Sequence, residues 1–160
     1  RQRPFCVYGT LLPGQPNAGL WAGAVVEQTP AQLQNGRLYD MGHYPMLVAF
    51  EGEQVRGVVL RVRSAAYTAV LRRLDKLEGY DPARPAQTAY RRVARPVRLE
   101  DGRQVDAWVY AGQAALVVGC PVIPNGDWAT YARGKEKRLR EWWTAVDTVA
   151  GRHLPPAIWG

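Results

Sequence analysis

Residues 91–110, RRVARPVRLEDGRQVDAWVY, carry the pattern that decides the fold. On the arm before Asp101-Gly102, Val93, Val97 and Leu99 share one face and Arg92 and Arg98 the other. On the arm after it, Trp108 and Tyr110 oppose Ala107 and Val109. A side-chain period of two belongs to a half-covered strand, and Asp-Gly supplies the backbone freedom that a tight hairpin turn requires. The stretch therefore predicts an antiparallel hairpin. Val58, Leu60 and Val62 alternate in the same way, and Asn35-Gly36 and Glu51-Gly52 read as further turns in a β-rich middle. The strands are not separated by helices at regular spacing, which disfavours a doubly wound parallel sheet. The expected class is α+β: a small mixed or antiparallel β-barrel with few helices.

Outward from the hairpin, two segments carry a helical period. The first runs from about Ala65 to Glu78, with Tyr67, Val70, Leu71, Leu74 and Leu77 on one stripe; it ends at Gly79 and is blocked by Pro82. The second starts after an Asp127 N-cap and places Trp128, Tyr131, Leu139, Trp142, Val146 and Val149 on an apolar face. That stripe reads as core or interface rather than a cofactor box. From His153 to Gly160 the chain reads as an extended tail. At the other end, Pro4 to Tyr8 is a short apolar strand that stops at Gly9 and gives way to the loop YGTLLPGQPN, residues 8–17.

Composition bounds the rest. The 160 residues are 47% hydrophobic and 22% charged, which excludes collagenous, disordered and mucin-like classes and predicts one domain over residues 1–160. Two cysteines, Cys6 and Cys120, cannot build a disulfide framework and read as reduced core thiols. No apolar run approaches the roughly 20 residues that span a bilayer, so no membrane segment is expected and the protein reads as cytoplasmic. The chain opens on Arg1 rather than Met, as expected of a trimmed start. A net charge of +7 invites a nucleic-acid reading. The 21 basic residues are scattered, however, with one cluster at Arg133, Lys135, Lys137, Arg138 and Arg140, and a charge run is usually a solvated face. Nucleic acid is not the expected partner.

One residue does not fit the helical pattern. Counted from Tyr67, Leu71, Leu74 and Glu78 are offset by 4, 7 and 11, so Glu78 projects from the apolar face. It also sits in the last turn, where the helix macrodipole is negative, and both effects oppose its ionised form. Two blander outcomes stay open: fraying at Gly79 turns Glu78 into solvent, or Arg91 or Arg92 pairs with it. Asp75 reads as a helix-edge charge and Asp81 as a turn residue.

The loop after the first strand is the second candidate. Successive backbone N–H groups in a glycine-containing turn form an anion-binding concavity, and Gly9 and Gly14 allow close backbone approach to a ligand. The loop has no Lys or Arg, so its amides and the Thr10 hydroxyl suit a small carboxylate better than a polyphosphate. It is neither a P-loop nor a dinucleotide fingerprint. His43 and His153 are the only histidines and have no acid at ligand spacing, so no metal site is expected. A Cys6–His43 nucleophile pair is left open, although a buried strand cysteine is more often inert packing.

Three pieces together, YGTLLPGQPN after the first strand, LDKLEGYDP (74–82) ending a helix and YRRV (90–93) opening the next strand, resemble the γ-glutamylcyclotransferase-like, or AIG2-like, family. GHYPMLV (42–48) and the late WVY strand (108–110) add to the resemblance, which covers about residues 4–111. The helix and tail of residues 112–160 fall outside it. The first loop is most similar to the γ-glutamylamine cyclotransferase branch, which also reads Gly-Gln-Pro-Asn there. The resemblance implies a small barrel with a cavity at one end. It implies an enzyme that releases 5-oxoproline from a γ-glutamyl amide or amine without metal or cofactor, its partner being that small-molecule substrate. It assigns Glu78 as the catalytic acid/base, the backbone of Tyr8, Gly9, Thr10 and Leu11 as the holder of the glutamyl carboxylate, and Tyr110 as a pocket border. Pro13 departs from relatives, which often have a basic residue there, and this leaves the leaving amine open. Two other readings stay open: a non-catalytic small-molecule binding module on the same fold, and a basic RNA-associated domain using residues 133–140. Oligomeric state is left open as well.

Overall fold

The hairpin forms where its alternation places it. In the computed structural model, which describes residues 2–12, 18–21, 23–84 and 88–138, β4 (Arg91–Leu99) pairs antiparallel with β5 (Gln104–Ala111) from Arg91 opposite Ala111 to Arg98 opposite Gln104. The loop uses three residues rather than two: the Leu99 N–H donates to the Arg103 carbonyl at 2.7 Å, and Gly102 takes φ 90°. That positive φ is the conformation a glycine adopts without strain. Val97, Ala107 and Val109 are completely buried, which fixes the inner face.

The other strands are β1 (Phe5–Val7), β2 (Val25–Asp40) and β3 (Pro45–Val62). They form a closed barrel in the order β1-β3-β2-β4-β5. All pairings are antiparallel except the closing one, a parallel contact of Phe5 with Trp108, so the sheet is mixed. Asn35-Gly36 and Glu51-Gly52 do not reverse the chain as expected. They lie opposite one another inside the long β2–β3 ladder, where the register jumps from Gln34/Gln54 to Gly36/Ala49. Asn35 alone, at φ 58°, stands against residues 50–53, and its Oδ1 accepts the Gly52 N–H at 3.0 Å. Turn-forming residues thus mark a bulge, a use that local sequence cannot tell from a hairpin.

Helix α1 (Tyr67–Glu78) follows a 3-10 turn at Ser64–Ala66, so regular helix starts two residues later than the expected Ala65. Its buried face is Val70, Leu74 and Asp75, while Leu77, expected on the stripe, is 43% exposed. Full burial of side chains such as Val70 and Leu74 contributes about 1.5–3 kcal/mol each, and this face holds the helix to the barrel. Gly79 terminates it, with the Tyr80 N–H reaching back to the Asp75 carbonyl at 2.8 Å. The Asp127 N-cap forms as expected: its carboxylate accepts from the Thr130 N–H at 3.2 Å and hydroxyl at 2.8 Å. It opens α2, which is helical over 128–138 with Trp128 buried. The expectations for Pro13, Gly14, Leu139, Trp142, Val146, Val149 and the tail lie outside the described residues. No helix among the described residues is long and apolar enough to cross a membrane.

Candidate active site

A cavity of about 620 Å³ opens at one end of the barrel. Five stretches of chain build it: β1 with the loop that follows, the β2–β3 turn at His43–Pro45, the last turns of α1, Ala89 and Tyr90 just before β4, and the face of β5 carrying Trp108 and Tyr110. Tyr8, Gly9, Thr10, Leu11, Glu78 and Tyr110 all line it. The six residues singled out in the sequence are therefore brought to one place from three separate elements.

Glu78 is half-buried there and makes no hydrogen bond or ion pair with any described residue. Burial pushes its carboxyl up to about 7, because the charged form loses solvation. The pairing partner that the sequence allowed is committed elsewhere. Arg92 contacts Asp75 instead, Nε to Oδ1 at 2.9 Å and Nη2 to Oδ2 at 3.4 Å.

Asp75 is accordingly not the helix-edge charge it was read as. It is buried, and it also accepts a 2.6 Å hydrogen bond from the Tyr110 hydroxyl. Arg92, placed by alternation on the outer face of the hairpin, is only 14% exposed at its side chain. The signal was available: Asp75 lies eight positions after Tyr67, about 80° round the helix and so on the flank of the apolar stripe. What hid it was that α1 packs over that outer face, turning a polar strand position into a buried one.

Of the four tyrosines that line the cavity with Glu78, three, Tyr8, Tyr90 and Tyr110, each give the phenol proton to a protein acceptor. The Tyr8 hydroxyl donates to the Tyr110 carbonyl at 2.5 Å, Tyr110 to Asp75, and Tyr90 to the Pro45 carbonyl at 2.7 Å. Burial, with the Glu78 charge adding to it, holds all three well above the ordinary phenol value, so they stay protonated. In the sequence Tyr90 marks only the opening of a strand; its hydroxyl role depends on a residue 45 positions away.

Gly9 is a position of close approach, but to protein rather than to open cavity: a Cβ there would lie 2.7 Å from the Pro45 Cγ. The Leu12 N–H closes the turn on the Gly9 carbonyl at 3.0 Å, and the Leu11 side chain is buried in the core, leaving only its backbone for a ligand. Cys6 and His43 both line the cavity, yet burial pushes the Cys6 thiol up to about 12. A thiol held protonated at neutral pH is a poor nucleophile, and the pair gains no support. Both cysteines are free, and no group of three or more His, Cys, Asp or Glu among the described residues is placed to hold a metal ion.

The architecture is shared with solved structures. YkqA from Bacillus subtilis matches at TM-score 0.64 and 19% identity, over 86% of this chain and 43% of its own. An AIG2-like protein from Mus musculus matches at TM-score 0.59 and 24% identity, over 79% of this chain and 90% of its own. The ytfP protein from Escherichia coli matches at TM-score 0.54 and 29% identity, over 78% and 95%. This chain thus spans less than half of YkqA but nearly the whole of the other two. No curated protein matches the chain in sequence. The family model described as gamma-glutamyl cyclotransferase, AIG2-like, matches residues 5–130, and the chain belongs to that family.

Proposed function

We propose that this protein is a cyclotransferase that converts a γ-glutamyl amide or amine into 5-oxoproline and the free amine, with Glu78 as acid and base. The observation that supports the reading is the Glu78 carboxyl, without a partner among the described residues and raised to about 7 inside the cavity. Cyclisation needs a neutral α-amine, and a substrate amine arrives as an ammonium. Glu78 in its ionised form takes one ammonium proton. The freed nitrogen attacks the γ-carbonyl carbon, forming the C–N bond of the five-membered ring. When the tetrahedral intermediate collapses, the bond to the leaving amine breaks and that amine takes the proton back from Glu78; the ring nitrogen then gives up its second proton through the same carboxylate to the departing amine, which leaves as an ammonium. The carboxylate is regenerated, and no water or external proton is consumed. A group titrating near neutrality is suited to both halves of this exchange.

The surroundings favour the same chemistry. The hydroxyl protons of Tyr8, Tyr90 and Tyr110 are committed to protein acceptors, so toward a ligand these oxygens can only accept. Acceptors beside a carboxylate suit an ammonium. The backbone of residues 8–11 would hold the glutamyl carboxylate, and Tyr110 would border the ring-forming atoms. Nucleophile and electrophile belong to one molecule, so the main task of the cavity is to fold the substrate into ring geometry.

The test is 5-oxoproline release from γ-glutamyl amines, γ-glutamyl amino acids and glutathione, by the native chain and by Glu78→Gln. At least one class should turn over, and the variant should keep its fold while losing on the order of 10² to 10⁴ in rate. A Glu78→Gln protein with near-native turnover would overturn the assignment.

A further inference from the structure

The cavity wall at His43, Tyr44 and Pro45 is held from outside the barrel. These residues form the turn between β2 and β3, and α2 grips its far side through Asp40, the last residue of β2. Three groups reach the Asp40 carboxylate. The Gly42 N–H donates to Oδ1 at 2.7 Å, the Tyr131 hydroxyl to Oδ2 at 2.6 Å, and Lys135 Nζ to Oδ1 and Oδ2 at 3.3 and 3.1 Å. Lys135 Nζ also donates to the Gly42 carbonyl at 2.5 Å. Burial pushes the Asp40 carboxyl up, but the bonds from Tyr131, Gly42 and Lys135 outweigh it and hold it below the usual carboxylate range.

The inner side of the same turn belongs to the cavity. The Met41 N–H closes it on the Tyr44 carbonyl at 3.0 Å, Pro45 receives the Tyr90 hydroxyl, and the Pro45 ring fills the space beside Gly9. Tyr44 is 40% exposed, whereas Tyr8 and Leu11, at the loop proposed for the glutamyl carboxylate, are buried. With the glutamyl end at that loop and the reaction at Glu78, the surfaces left for the leaving amine are the exposed parts of the lining, the Tyr44 wall and the edge at Leu77. Lys135 also lies beyond residue 130, where the family match ends. The grip is supplied by a part of the chain that the family pattern does not describe.

We propose that Lys135, acting through Asp40, is a positioning residue that sets the His43–Pro45 wall and thereby the binding of the leaving-group portion of the substrate. This rests on the cyclotransferase reading. Loss of the grip weakens binding of ground state and transition state alike, which appears as a raised KM with kcat preserved.

The experiment compares Lys135→Met, which keeps the length of the stem and removes the charge, with Lys137→Ala. Lys137 is exposed and lies about 200° round the helix from Lys135, so its loss controls for charge alone. With γ-glutamyl-n-butylamine as the probe, Lys135→Met should raise KM about tenfold and leave kcat within about twofold, while Lys137→Ala matches the native chain. Amide hydrogen exchange at Gly42 should accelerate in Lys135→Met only. A KM within about twofold of native, or a loss confined to kcat, overturns the proposal. Should Lys135→Met fail to fold, Tyr131→Phe removes one bond from the same carboxylate and should raise KM about threefold; an unchanged KM there overturns it equally. If no γ-glutamyl compound turns over in the native chain, the cyclotransferase reading falls by itself. Exchange at Gly42 then decides the grip, and unchanged exchange refutes it.

Discussion

Asp75 and Glu78 stand one turn apart on the same helix and have opposite circumstances. Asp75 is buried and held by Arg92 and Tyr110; Glu78 is less buried and held by nothing among the described residues. The more deeply placed carboxylate is the structural one. Depth alone does not mark a reactive acid: what matters is whether a cation has already neutralised it. Arg92 does this for Asp75 while its guanidinium lies 4.5 Å over the Trp108 ring, and the pair ties α1 to the hairpin beneath it. Glu78, three residues further on, is left to titrate.

The comparison can be broken from the paired side first. Arg92→Met leaves the Asp75 charge buried without its cation, and removal of one partner from such a pair costs about 3–5 kcal/mol. Denaturant unfolding should show a loss of that size, most of it recovered in the double variant Arg92→Met/Asp75→Asn, which removes the stranded charge. A loss under about 1 kcal/mol for the single variant would mean that the two carboxylates are not so different after all.

The unpaired side gives a smaller effect of opposite sign. Folding raises Glu78 from 4.5 to about 7, so between those values the folded state holds a proton that the unfolded chain releases. Stability attached to Glu78 is therefore full below pH 4.5 and lost as pH rises through 7. Glu78→Gln removes that loss. It should be about 1–3 kcal/mol more stable than the native chain at pH 8, after allowance for partial exposure, and no more stable at pH 4. Equal stability of the two proteins across this range would show that the carboxylate is solvated as an ordinary surface acid.

What the sequence made legible was local. Alternation within residues 91–110 defined both arms of the hairpin, and the period of α1 brought Glu78 out against its apolar background, because each signal is contained in one element. Asn35-Gly36 and Glu51-Gly52 carried the right residue types for a change of direction, but only the long-range ladder decides that they meet as a bulge. The Asp75–Arg92 pair joins a helix to a strand 17 positions on, and the Lys135–Asp40 contact spans 95. Neither leaves a periodic trace, since each exists only once two faces have packed. Lys135 had been read as part of a solvated basic run, and its tie to a buried carboxylate shows how tertiary packing can withdraw one member from such a cluster.

The parallel contact that closes the barrel carries a consequence for how the molecule comes into being. Phe5 meets Trp108, and the Tyr8 hydroxyl meets the Tyr110 carbonyl across 102 positions of chain. Closing a loop of that length exacts its entropy before any contact rewards it, and topologies dominated by such contacts fold slowly. During synthesis the three residues of β1 must wait, unpaired on one edge, until β5 has emerged. The cavity is consequently a late product of folding rather than a place that early structure surrounds. In a refolding experiment monitored both by far-UV signal and by recovery of the proposed 5-oxoproline release, activity should return only with the slowest phase; recovery coincident with the fastest would show that the site assembles before the ring is shut.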